Sequence, residues 1–193
     1  MKKILKRINI GIIAILLIVT GCSKNDNDTK SQTKSENTAK TETTLKSQSS
    51  SFIGSKAPDF TLKTLEGENV SLDQFSGKVI LLNFWGTWCP PCRKEIPDLV
   101  NIYSENKDKG LEIVGITLNS GSPEKIQNFA NKNNMNYQIL TGEQAKTMQI
   151  AKKYNNLRSI PTTFIIDREG IIRHKWVGPR SKEKFMEEIN KYL

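Results

Sequence analysis

Histidine and cysteine are scarce in this chain. Its 193 residues include one histidine, His174, and three cysteines, Cys22, Cys89 and Cys92. A structural zinc site takes four Cys or His ligands, and only Cys22 and His174 remain to join Cys89 and Cys92, so no metal site is expected. The dense set of paired cysteines that staples a small exported scaffold is also missing. Aromatic residues make up 7% of the chain and do not interleave with a basic run. The formal charge of +9 therefore does not read as a nucleic-acid surface. Four of the cations, Lys2, Lys3, Lys6 and Arg7, precede the first apolar run with no acid beside them. Without them the chain keeps 25 basic against 20 acidic residues, an ordinary mixed-charge surface. No internal repeat is apparent.

The N-terminus reads as an export signal. A basic start is followed by the apolar stretch from Ile8 to Val19, interrupted by Asn9 and Gly11. That stretch is short of the ~20 residues of a membrane span and fits a secretory signal. Val19-Thr20-Gly21-Cys22 resembles a bacterial lipobox, where the signal is cut before a cysteine that is then lipidated. Two acyl chains on Cys22 would give stable anchoring where one would not. An uncut N-terminal anchor would serve the same end and leave Cys22 incidental. In both cases the rest of the chain lies outside the cytoplasm. From Ser23 to Ser50 polar residues dominate and Leu45 is the only large apolar one. Such a segment buries too little surface to offset its ordering entropy, and its 28 residues would span roughly 30 Å as a flexible coil. The expected organisation is a signal peptide over 1–21, a lipidated cysteine and disordered tether over 22–50, and one folded domain over 51–193.

Within that domain the informative stretch is Trp88-Cys89-Pro90-Pro91-Cys92. It follows the apolar run Val79 to Trp85 and precedes a helix-like segment, which puts Cys89 at a helix N-terminus. Unpaired N–H groups and the helix dipole favour an anion there, lower the thiol pKa and raise the fraction of attacking thiolate. Cys92, one turn on, is close enough to close a disulfide and release a bound partner. A purely structural disulfide around a two-residue loop would remove little chain entropy. Dithiol/disulfide exchange is the better reading.

The pattern around this motif predicts alternating elements. Asp59 to Lys63 and Asn69 to Leu72 flank a Glu66-Gly67-Glu68 turn and suggest an N-terminal hairpin. Lys78 to Trp85 has the continuous apolar pattern of a strand buried on both faces. Cys89 to about Lys109 reads as a long helix that Pro97 should kink. Leu111 to Leu118 is a second buried strand, Pro123 to Asn133 an amphipathic helix, Tyr137 to Leu140 a short strand and Gln144 to Tyr154 a helix. Thr162 to Ile166 and Ile171 to Val177 flank the turn Asp167-Arg168-Glu169-Gly170, and Ser181 to Tyr192 closes as a helix with Ser181 as N-cap. The expected fold class is α/β, a mixed central sheet flanked by helices on both faces.

The chain from Phe52 to Leu193 resembles the thioredoxin-fold family. The resemblance rests on Asn83-Phe84-Trp85-Gly86-Thr87-Trp88-Cys89-Pro90-Pro91-Cys92 with Pro97 at the helix-kink position, on Ser159-Ile160-Pro161-Thr162-Thr163-Phe164 at the cis-proline loop, and on Gly178 before the last helix. The N-terminal hairpin, the helix-strand insertion around Pro123 to Leu140 and Arg93-Lys94-Glu95-Ile96-Pro97 are similar to the membrane-anchored extracytoplasmic reductases of the TlpA/ResA kind. The resemblance implies a three-layer thioredoxin-like fold and a role for each matched residue. Pro161, if cis, would expose the backbone of Ile160 for strand-like pairing with a substrate and keep a side chain away from Cys89. Trp88 would cover the active-site face, whereas Trp85 reads as packing. Thioredoxins proper carry a buried aspartate where this chain has Asn83, which cannot exchange protons. Glu95 could instead take the Cys92 proton. Peroxiredoxins share the fold but place a threonine or serine three positions before the nucleophile and a proline seven before it. Gly86 and Leu82 stand there instead. His174 reads as a surface residue.

Together these features predict a thiol:disulfide oxidoreductase, lipid-anchored on the extracytoplasmic face of a bacterial cell membrane and monomeric, with Cys89, Cys92 and Glu95 catalytic and Trp88, Ile160 and Pro161 at the substrate. It needs no cofactor, because the two sulfurs carry the electrons. Its partners would be disulfide-bearing exported proteins and, by the resemblance, a membrane electron donor of the CcdA/DsbD type. Reduction is favoured over oxidation because Pro90-Pro91 lacks the thiolate-stabilising histidine that strong oxidants place between their cysteines. An exported oxidase or isomerase is the enzymatic alternative. A thioredoxin-fold metal-binding or delivery module is the other, but it would want a three-residue spacing and a third ligand, for which only His174 is available.

Overall fold

The computed structural model describes residues 52–193; the expected signal peptide, Cys22 and the tether lie outside the described residues. A seven-stranded sheet carries the domain in the order β2-β1-β5-β4-β3-β6-β7. Two strands form its centre, β3 (Val79–Trp85) and β4 (Leu111–Thr117), every residue of which is buried. They pair in parallel, and β4 pairs in parallel with β5 (Gln138–Thr141). The hairpin β1 (Thr61–Thr64) and β2 (Asn69–Ser71) adds antiparallel beyond β5. On the other side β6 (Thr162–Ile166) runs antiparallel to β3, and β7 (Ile172–Val177) closes that edge. The continuous apolar runs at β3 and β4 follow from this central position, since helices cover both faces.

One face packs against α1 (Pro90–Asn106), α2 (Pro123–Lys132) and α4 (Lys182–Ile189); the other packs against α3 (Gln144–Lys153) and the segment around Ala57 and Phe60. Helix α1 supplies Cys92, Glu95, Ile96, Leu99, Ile102 and Asn106 to its buried side, a stripe at helical spacing. Each fully buried Leu or Ile on it stabilises by about 1.5–3 kcal/mol. Among the described residues no helix is long and apolar enough to cross a membrane.

Two helix ends differ from expectation. The long helix begins at Pro90 with Cys89 as its N-cap and ends at Asn106. Lys107–Lys109 tighten into a 3-10 turn before Gly110, which sits at φ 93° and carries the chain into β4. Ser181 occupies the N-cap of α4, but its hydroxyl caps nothing. The Lys182 amide donates to Asp98 Oδ2 of α1 instead, at 3.2 Å, so a carboxylate 84 residues away in sequence does the work a local hydroxyl was expected to do.

Candidate active site

The site is built where β3 ends. Gly86 leads out of the strand; a Cβ there would lie 2.9 Å from Trp88 Nε1 and 3.1 Å from the Leu118 carbonyl oxygen. A side chain at position 86 would have to displace the Trp88 indole, and glycine supplies no hydroxyl of the kind peroxide chemistry would need here. Trp88 Nε1 donates to that Leu118 carbonyl at 3.1 Å. Its indole is 56% exposed, so Trp88 is a surface aromatic beside the cysteines rather than a core residue.

Cys89 and Cys92 form a disulfide with their Cα atoms 5.3 Å apart. Proline at the first helical position has no N–H to leave unpaired, and Cys89 Sγ accepts from the Cys92 amide at 3.3 Å. No acid stands in the first turn of α1. No first-turn carboxylate therefore opposes the Cys92 amide and the positive end of the helix at Cys89. Both cysteines are almost fully buried, with Cys89 at 2% exposure and Cys92 at 0%. Opposite them the Ile160–Pro161 peptide is cis. The Ile160 carbonyl oxygen lies 3.7 Å from Cys89 Sγ, and the Gly178 amide donates to the Pro161 carbonyl at 2.8 Å, which ties the loop to the end of β7. Gly178 adopts φ 87°, a conformation open to glycine.

Glu95 lies one turn beyond Cys92 on the buried side of α1 and is 2% exposed. Its carboxylate reaches down to the sheet, where Asn83 Nδ2 donates to Oε1 at 2.9 Å and to Thr163 Oγ1 at 2.9 Å. Strand register brings these groups together: Asn83 of β3 is directly opposite Thr163 of β6 on one side and Gly115 of β4 on the other. Among the described residues the second carboxylate oxygen has no hydrogen-bond partner within 3.5 Å. Burial pushes the Glu95 carboxyl up from 4.5 to about 7; the Asn83 hydrogen bond and the backbone and charge of Arg180 pull it down only in part. A group poised there exchanges protons near neutral pH. The sequence pattern singled out Glu95 but not its partners. The signal for them was present: Asn83 is the one polar residue in the run Val79 to Trp85, and Thr162-Thr163 opens an otherwise apolar strand.

His174 is not with the cysteines. Its Nδ1 lies 3.7 Å from Glu188 Oε2 and its ring 4.2 Å from that of Trp176. Among the described residues no group of three or more His, Cys, Asp or Glu stands together as a metal site would need.

A cysteine pair at a helix N-terminus, facing a cis-proline loop on a mixed sheet, defines a thioredoxin-like thiol-disulfide exchange site. Comparison with known proteins agrees. The family model described as AhpC/TSA matches residues 53–175. The chain is 38% identical over 139 residues to the thioredoxin-like protein YneN of Bacillus subtilis, across 71% of this chain and 78% of that one. It is 34% identical over 139 residues to the thiol-disulfide oxidoreductase ResA of Bacillus thuringiensis, across 72% and 78%. A solved thiol:disulfide interchange protein of Chlorobium tepidum superposes with a TM-score of 0.65 at 31% identity, covering 72% of this chain and 96% of that one. The chain belongs to the AhpC/TSA family, and it is a thioredoxin-like thiol-disulfide oxidoreductase.

Proposed function

We propose that this oxidoreductase reduces disulfides in exported proteins, with Cys89 as the attacking and Cys92 as the resolving sulfur. The Cys89 thiolate attacks one sulfur of the substrate disulfide and displaces the other as a thiolate. Cys92 then gives its proton to the Glu95 carboxylate and attacks Cys89. That attack releases the second substrate sulfur, and two electrons have passed from the dithiol to the substrate. The observation that carries the reading is the buried carboxylate of Glu95 on the Cys92 side of α1, with its pKa raised to about 7. It can accept a proton where Asn83 cannot. Ile160 and Pro161 would present backbone to the substrate segment, with the exposed Trp88 beside it. The absence of a histidine between Cys89 and Cys92 favours a potential near thioredoxin's −270 mV over the −120 mV of a strong oxidant. A membrane donor of the CcdA/DsbD type would restore the dithiol, and a lipid on Cys22 would hold the monomeric enzyme at the extracytoplasmic membrane face.

Trapping tests the assignment. Cys92→Ala should accumulate covalent substrate complexes that dissolve in reductant, and Cys89→Ala few or none, because only Cys89 sits at the helix terminus. Equal trapping by both variants would overturn it. Titration of the pair against glutathione tests the direction; a potential as high as −120 mV would make the protein an oxidant.

A further inference from the structure

Beside the cis-proline loop the surface opens into a groove of about 450 Å³. One wall follows from the way α3 stops. Asn155 and Asn156 both take left-handed backbone, at φ 61° and 49°, which Asn tolerates better than most residues. The amides of Asn156 and Leu157 turn back to the carbonyls of Lys152 and Ala151 at 2.9 and 3.1 Å. Those helix-end carbonyls are thereby occupied, and the chain runs out through Arg158 and Ser159, both exposed, to Ile160. The other wall is the edge strand β7, which contributes Lys175 and Val177. Lys175 Nζ stands 5.6 Å above the centre of the Phe164 ring, which holds the ammonium at the groove. Val177 is 51% exposed.

Charge and position set this groove apart. Arg158 and Lys175 are the only charged side chains lining it, and among the described residues neither makes an ion pair. At the opposite end of β3 and β6, a pocket of about 360 Å³ has Lys56 and Arg168 sharing the space with Asp59, Asp73, Asp167 and Glu169, so its cations are outnumbered by carboxylates. Burial also lowers the Lys175 pKa, and a carboxylate would offset that cost. The groove adjoins the chemistry: the Ile160 carbonyl is 3.7 Å from Cys89 Sγ, and Arg158 is two residues upstream, about 7 Å along an extended chain. Arg93 and Lys94, exposed in the first turns of α1, add positive charge on the helix that carries the cysteines.

We propose that this groove is a specificity subsite for an acidic side chain of the substrate. That side chain would lie two or three residues from the cysteine that Cys89 attacks. The inference rests on the reductase reading above. No bond forms in the groove; Arg158 and Lys175 act on encounter and binding, so their effect falls on KM and on salt dependence.

The full chain in its dithiol form is assayed on three cyclic peptide disulfides. These are identical except at the second and third positions from one cysteine, which carry Glu-Glu, Gln-Gln or Lys-Lys. Exposed ion pairs are individually weak, so kcat/KM for the Glu-Glu peptide should exceed that for Gln-Gln by about three- to tenfold and exceed Lys-Lys by more. The preference should fall towards one in 1 M salt, where the screening length is about 3 Å. It should disappear in Arg158→Gln/Lys175→Gln and invert in Arg158→Glu/Lys175→Glu. Each ratio is taken within a single variant, so a general loss of stability does not imitate the effect. Equal rates on all three peptides, or a preference that survives both substitutions, would overturn the subsite and leave the reductase reading standing. If the wild-type chain reduces neither the peptides nor the neutral 2-hydroxyethyl disulfide, the reductase reading fails and the subsite with it.

Discussion

Glu95→Gln offers a measurement in which the buried carboxyl is separated from the sulfur chemistry. In the oxidised protein Cys89 and Cys92 are bonded and do not titrate. Glu95 ionises near 4.5 when solvated and near 7 in the fold, mainly because burial disfavours its charge. The folded state therefore holds the proton more tightly than the unfolded chain. The stability this group contributes is complete below pH 4.5, declines as pH rises, and is lost above about pH 7. At 1.36 kcal/mol per pKa unit the whole excursion is about 3 kcal/mol. Glutamine does not ionise and keeps the side-chain volume. Urea unfolding of oxidised wild type and Glu95→Gln at pH 4.5, 6 and 8 should show the difference drifting in the variant's favour by about 3 kcal/mol across that window. All other titrations are common to both proteins and cancel. A difference that stays constant with pH would mean that the carboxylate is solvated, and the proton-acceptor role would lose its basis.

Asn83→Ala removes the amide that donates to both Glu95 and Thr163; it should cost about 2–4 kcal/mol and cost more at pH 8 than at pH 5, because the ionised carboxylate loses more. Urea midpoints at the two pH values check this. Gly115→Ala would place a Cβ 2.8 Å from Trp85 Nε1 and 3.4 Å from Tyr137 Cε2. Trp85 is 1% exposed and cannot yield, so a loss of about 1–3 kcal/mol is expected in the same assay. Cys22→Ser should move the protein from the membrane fraction to the medium or leave the precursor uncut; processing and fractionation like wild type would refute the lipid anchor.

Much of this fold was legible because its strands are buried on both faces. Val79 to Trp85 and Leu111 to Thr117 announce themselves by continuous apolarity, and Pro123 to Lys132 by its amphipathic spacing. The Cys89–Cys92 pair and the Ile160–Pro161 loop were legible as local motifs. What escaped was long-range. Glu95 falls on the apolar stripe of α1 with Cys92, Ile96 and Leu99 and was legible as a proton acceptor, but only the register of β3 against β6 shows that Asn83, which also donates to Thr163, receives it. Ser181 was legible as the N-cap of α4, but the carboxylate that receives the Lys182 amide was not, since Asp98 comes from another helix. The groove at Arg158 and Lys175 depends on how α3 unwinds and on which strand forms the edge, and no periodicity encodes either.

The choice of Asn at position 83 becomes intelligible once Glu95 is seen to be buried. An aspartate there would put a second carboxylate in direct contact with the first, and two such groups cannot both ionise at that distance. One would hold a proton throughout the cycle, and the pair would titrate as a unit. Asparagine instead points its amide at Glu95 Oε1 and Thr163 Oγ1. It steadies one ionisable carboxylate while adding no charge of its own. That donation lowers the Glu95 pKa, so with the amide absent the carboxyl would sit still higher and be protonated at neutral pH. It could then accept nothing from Cys92. On the proposed reading the proton acceptor stands on the helix that carries the sulfurs, and the sheet supplies the hydrogen bond that would keep it usable.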